Sequence, residues 1–253
     1  MLSAKPWQGE AVIQFCGAQL LCFFLSLTVA GLLQKAGLAA FQPPDGYGAV
    51  LLGTLGFQGA TWVLIPVFLH YHRVAWQEAF GFRTPQMPRT LFMAGLIAIA
   101  ILPVAWGLQF LSGIVLTRIG WPPEEQVAVS LVTHAKLWWM QIYLGVFAVV
   151  LAPVAEEFIF RGLLYPFFKQ LGGPRLALIG VSLGFALIHL DVATFVPLFV
   201  FALALTWLYE LTDSLWAPIA AHALFNATNL VVLHFEGPLN QFLQQSGHVL
   251  HLT

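Results

Sequence analysis

The chain of 253 residues is 59% hydrophobic and only 8% charged, with a mean hydropathy of +0.83, which excludes an ordinary soluble domain. Its formal net charge of −1 gives no electrostatic case for nucleic acid or another strongly charged partner. Several apolar runs reach or exceed the ~20 residues that cross a hydrocarbon core, so the sequence predicts an all-α fold. The expected form is a polytopic membrane helical bundle of about seven to eight transmembrane helices with an interfacial helix, in a single domain over 1–253.

The first span is expected over about 11–33. One Lys precedes it, as in a secretory signal, but a run this long fits a retained helix better. Cys16 and Cys22 lie six residues apart on it, an axial rise of about 9 Å, beyond disulfide reach, and read as packing residues. After the turn signal Gln42-Pro43-Pro44-Asp45-Gly46, a second span runs over about 48–70, with glycines at 53, 56 and 59 that suit close helix packing. His70 and His72 do not share a helix face and read as interfacial anchors.

A basic connection with Arg73, Arg83 and Arg89 leads to a third span over about 91–117. In the segment 118–136, Glu124 and Glu125 follow two prolines at a helix start, where acids favour the dipole, and Gln126 to Val132 reads as interfacial. A fourth span begins near Leu137 and is interrupted by Pro153; a fifth runs from about Arg175 to Leu190, a sixth over 193–211 and a seventh from Trp216 to about His234. The first three spans and their connections form one part, 1–136, and the polar-bearing spans form a core over 137–235. Lys5, Arg73, Arg83, Arg89, Lys169 and Arg175 fall on one side and Lys35, Arg118 and Lys136 on the other. The positive-inside rule then places the N-terminus in the cytoplasm. The expected location is a membrane, crossed several times: the plasma (inner) membrane if the source is bacterial.

The polar residues within the core need a partner or a task, because an unpaired charge at membrane depth costs about 2.5 to 3.5 kcal/mol. Glu157 and Arg161 are four apart with the acid first, the favourable order for an ion pair on one helix face. Glu156 is rotated about 100° from Glu157 and can face a separate cavity. A structural ion pair would need only one acid, so the second carboxylate points to function. Phe185 and His189 are four apart, so the ring can wall the pocket that the imidazole enters. Alone, such a histidine would be an interfacial residue. Gly180-Val181-Ser182-Leu183-Gly184 matches a serine-hydrolase pattern, but that pattern needs a strand-to-helix elbow and here lies within a helix, so Ser182 is not read as a nucleophile. His222 and Asn226, again four apart, can donate together to a developing oxyanion or, more plainly, can be an interhelical hydrogen-bond pair.

Together these segments resemble the CPBP family of intramembrane proteases, which includes the type II CAAX prenyl endopeptidases and bacteriocin-processing and immunity relatives. The family's E-E-x-x-x-R is Glu156, Glu157 and Arg161; its F-x-x-x-H is Phe185 and His189; its H-x-x-x-N is His222 and Asn226. The resemblance covers about 140–235 and implies an intramembrane endopeptidase acting on a membrane-associated peptide or protein substrate, prenylated in some members. It implies that Glu156 with His189 activates a water, that His222 and Asn226 stabilise the oxyanion, and that Glu157 with Arg161 orients the site or anchors a substrate carboxyl group. The preferred mechanism needs no cofactor. The alternative chemistry is zinc on His189, His222 and Glu156, although no H-E-x-x-H occurs. A non-catalytic immunity or scaffold protein would keep the same residues as a structural network. A proton-coupled transporter predicts repeated broken helices, and no internal repeat is visible.

Overall fold

The computed structural model describes residues 2–42, 46–83, 86–122 and 137–250, and every long element among them is a helix. With no water inside a bilayer to satisfy its N–H and C=O groups, a chain this apolar can bury its backbone polarity only within helices or a closed barrel. The helices, in chain order, are α1 (Gly9–Lys35), α2 (Tyr47–His72), the short α3 (Trp76–Phe80), α4 (Met87–Arg118), α5 (Trp138–Gly172), α6 (Pro174–Leu187), α7 (Val192–Thr212) and α8 (Trp216–Leu250). Six of them, α1, α2, α4, α5, α7 and α8, are long and apolar enough to cross a membrane. The molecule is a polytopic helical bundle.

Among the described residues, one of the expected spans is shorter than the sequence suggests. The run read as a fifth span is the 14-residue helix α6, which rises about 21 Å against a hydrocarbon core of about 30 Å. It stops because Leu190 turns into the left-handed region, φ 52°, and the Asp191 carboxylate then caps α7 by accepting from Ala193 N–H. Glu124, Glu125 and the expected interfacial helix at Gln126 to Val132 lie outside the described residues.

Helix α7 is the centre: half of its apolar window is buried, against 11% for α1. It packs on α4 and α6, and α8 packs on α4, α5 and α7. Helix α1 packs on α2 at the periphery, where Gly56 comes against Ser26 and Cys22 of α1. Both cysteines are free thiols.

One end of the bundle is clasped together by polar contacts. The segment before α1 lies across it: the Gln8 N–H donates to His72 at the end of α2, Lys5 pairs with Asp213 at 3.4 Å, and Gln170 donates to the Lys5 carbonyl. Lys169 of α5 pairs with Glu210 of α7 at 2.8 Å, and the Leu215 N–H donates to the Phe80 carbonyl. The six basic residues expected on one side therefore sit on elements that meet at this end. Lys35 and Arg118 close the far ends of α1 and α4.

Candidate active site

Helix α5 is not a uniform α-helix. Two wide, π-helical turns, Phe147–Leu151 and Phe158–Leu164, flank the segment Ala152–Glu157 that carries both glutamates. Each ends two residues before a proline, Pro153 and Pro166, which can donate no N–H to the turn behind it. Such turns occur often at functional sites.

Arg161 and Glu157 are wholly buried, at 0% exposure. The guanidinium uses every nitrogen: Nη1 donates to Glu157 Oε1 at 2.8 Å, Nη2 to the Ala202 carbonyl at 3.1 Å and Nε to Thr206 Oγ1 at 3.3 Å. Its carbon lies 4.7 Å from the centre of the Phe185 ring. Planar geometry with five donors makes arginine suited to such a multiple hold. Three of its five N–H groups are engaged by fixed protein acceptors, which holds the guanidinium in place.

Glu157 Oε1 also meets His222 Nδ1 at 2.9 Å. That oxygen already accepts from Arg161, so Nδ1 is the donor, and Nε2 is the nitrogen left facing Glu156 Oε2 at 3.8 Å. Histidine 222 thus stands between adjacent carboxylates on different faces of α5, as the 100° rotation predicts. Glu157 Oε2 is buried with no hydrogen-bond partner among the described residues.

Phe185 is the wall of the site. Its ring is fully buried and meets His189 at 4.9 Å, His222 at 5.8 Å and Phe160 at 5.2 Å between centres. His189 itself is exposed and stands in the turn after α6, where its Nδ1 donates to the Phe185 carbonyl at 2.8 Å. A carbonyl only accepts, so the neutral ring presents an acceptor at Nε2. The Glu156 side chain keeps 13% of its surface.

Asn226 reaches α5 on the other side of the glutamates, where Nδ2 donates to the Ala148 carbonyl at 2.8 Å. The amide retains a second N–H. The structure therefore brings Glu156, Glu157, Arg161, Phe185 and His222 into direct contact, with His189 and Asn226 at its two edges.

Sequence reasoning missed Thr206 and the Ala202 carbonyl on α7, because a single threonine in an apolar helix carries no distinguishing pattern. Ser182 sits within α6, buried, with its hydroxyl 3.5 Å from Thr206. It joins the arginine's support and has no elbow geometry.

The donor set does not fit zinc as arranged. Among the described residues no three of His, Cys, Asp or Glu gather as a metal-binding group. No curated protein and no solved structure matches the chain. Residues 138–228, the segment that carries all three polar motifs, match the family described as type II CAAX prenyl endopeptidase Rce1-like.

Proposed function

We propose that the protein is an intramembrane endopeptidase of the CAAX type, hydrolysing a peptide bond in a membrane-associated, lipidated protein substrate. The observation that carries this reading is His222 held between Glu157 and Glu156, within the segment that matches the family.

The resting state we propose is balanced in charge. Buried ions are tolerated when they are paired and hydrogen-bonded. Ionised Glu156, Glu157 and Arg161 carry a net charge of −1, and one proton on His222 Nε2 brings the group to zero. In that state Glu156 is a base and His222 a donor, two roles that one side chain could not serve together. His189 Nε2 accepts a hydrogen bond from the attacking water, and Glu156 takes the proton as the oxygen bonds to the scissile carbonyl carbon. The carbonyl oxygen becomes an oxyanion held by His222 Nε2–H and the second Asn226 N–H. The carbon–nitrogen bond then breaks, and Glu156 returns the proton to the leaving amine. Glu157 and Arg161 fix the His222 ring throughout. This path requires no metal. The clasped, basic end faces the cytoplasm, which sets the side from which a lipidated substrate would enter.

The test compares peptide termini in membranes from cells expressing wild type, Glu156→Gln or no protein, by quantitative terminal-peptide mass spectrometry. New termini that depend on Glu156 are expected, and their sequences identify the substrate. Identical termini in all three at equal expression would leave the polar group as a structural network and the protein as a membrane scaffold.

A further inference from the structure

Two carbonyls of α5 face a proline where a main-chain donor would stand. The Ala152 N–H donates five residues back to Phe147, so the next donor in that register is Pro153, which has none. Ala148 O is the carbonyl left over, and Asn226 caps it. A second proline acts one wide turn later. The Tyr165 N–H donates five residues back to Phe160, so Pro166 stands opposite Arg161 O in the wide register and opposite Gly162 O in the ordinary α register that resumes at Tyr165. The Gly162 carbonyl takes the indole N–H of Trp7 at 2.9 Å, a fully buried bond between residues 155 apart in sequence. A buried carbonyl without a donor is costly, so each wide turn is held by a side chain from another element.

From this we infer that Trp7 is a positioning residue of the candidate active site. Gly162 adjoins Arg161 on the same wide turn, and the indole bond keeps that turn from tightening. Removing the extra residue of a wide turn rotates the helix on its N-terminal side against the helix on its C-terminal side by about 100°. That is enough to take the guanidinium off Glu157 and with it the hold on His222. Trp7 is itself fixed: it is 4% exposed and packs edge-on against Phe68 at 5.1 Å and His72 at 5.3 Å. The segment before α1 is therefore part of the site's support as well as a clasp at the end of the bundle. The effect on catalysis rests on the proposed protease reading, while the hold on the turn does not.

The test uses the full chain in membranes. Trp7→Phe keeps the ring and removes only the N–H. Hydrogen–deuterium exchange should rise in Trp7→Phe over 158–165 and not in α4. Where wild type shows Glu156-dependent cleavage, Trp7→Phe should lower kcat about tenfold with KM unchanged. Exchange unchanged over 158–165, or a rise spread equally over α4, overturns the inference. Absence of any Glu156-dependent cleavage alongside the expected exchange pattern overturns only the protease reading.

Discussion

Arg161 holds a full charge where neither water nor lipid reaches it, and its nitrogens tie Glu157 on its own helix to Ala202 and Thr206 on α7. Removing one member of a buried pair strands the other, a loss of about 3 to 5 kcal/mol, whereas replacing both with apolar groups can be nearly neutral. Arg161→Ala should therefore lower the thermal unfolding midpoint in detergent sharply, and Arg161→Met/Glu157→Leu should recover much of it. Equal losses in the single and double variants would show that the pair contributes through packing alone. Lysine should rescue poorly, since an ammonium cannot reproduce the planar hold on Glu157, Ala202 and Thr206. At this scale the sequence carried the pair itself, because a spacing of four fixes a shared face. It did not carry Thr206, the Ala202 carbonyl or the tilt that puts Phe185 under the guanidinium, which depend on how α7 and α6 dock on α5.

The wide turns of α5 show where element-level reading stops. Pro153 was legible as an interruption, yet Pro103 and Pro197 lie inside α4 and α7 without widening them. What distinguishes Pro153 and Pro166 is a donor arriving from elsewhere, Asn226 for one and Trp7 for the other, and no local pattern announces it. The expected fifth span falls short for a similar reason. The apolar run to Leu190 gives no sign that the chain reverses at Leu190 and Asp191, a reversal made by one left-handed residue and one cap. The junction between α3 and α8 has a sharper local signature. Gly81 turns at φ +65°, and a Cβ there would run into the Asp213 carbonyl, beside the Leu215 N–H that donates to Phe80 O at 2.8 Å. Gly81→Ala meets both a strained conformation and a backbone clash, each worth about 1 to 3 kcal/mol. It should destabilise the protein in thermal unfolding well beyond a control at Gly95, whose added Cβ meets nothing within 4 Å. Parity between the two variants would mean that α3 and α8 are not locked by this contact.

For the molecule as a whole, the distribution of charge and the placement of the site make one prediction. Lys5, Arg73, Arg83, Arg89, Lys169 and Arg175 lie on elements joined at the clasped end, and Lys35 and Arg118 at the other, an asymmetry from which the positive-inside rule predicts a cytoplasmic clasped end. Along α7, Glu210 marks that end and Ala202 lies eight residues deeper, about 12 Å at 1.5 Å per residue. The arginine and its partners thus sit about 12 Å inside the clasped end, against the thickness of a hydrocarbon core, about 30 Å. Exposed positions report the orientation directly. In a Cys16→Ala/Cys22→Ala background, Gln77→Cys on α3 samples the clasped end and Ala36→Cys after α1 samples the other. An impermeant maleimide applied to intact cells should label Ala36→Cys and spare Gln77→Cys, and both should react after lysis. The reverse pattern would place the clasped end outside, so that a substrate carrying a lipid on the cytoplasmic leaflet would approach the glutamates from the far side, and the proposed route of entry would fail while the site chemistry stood.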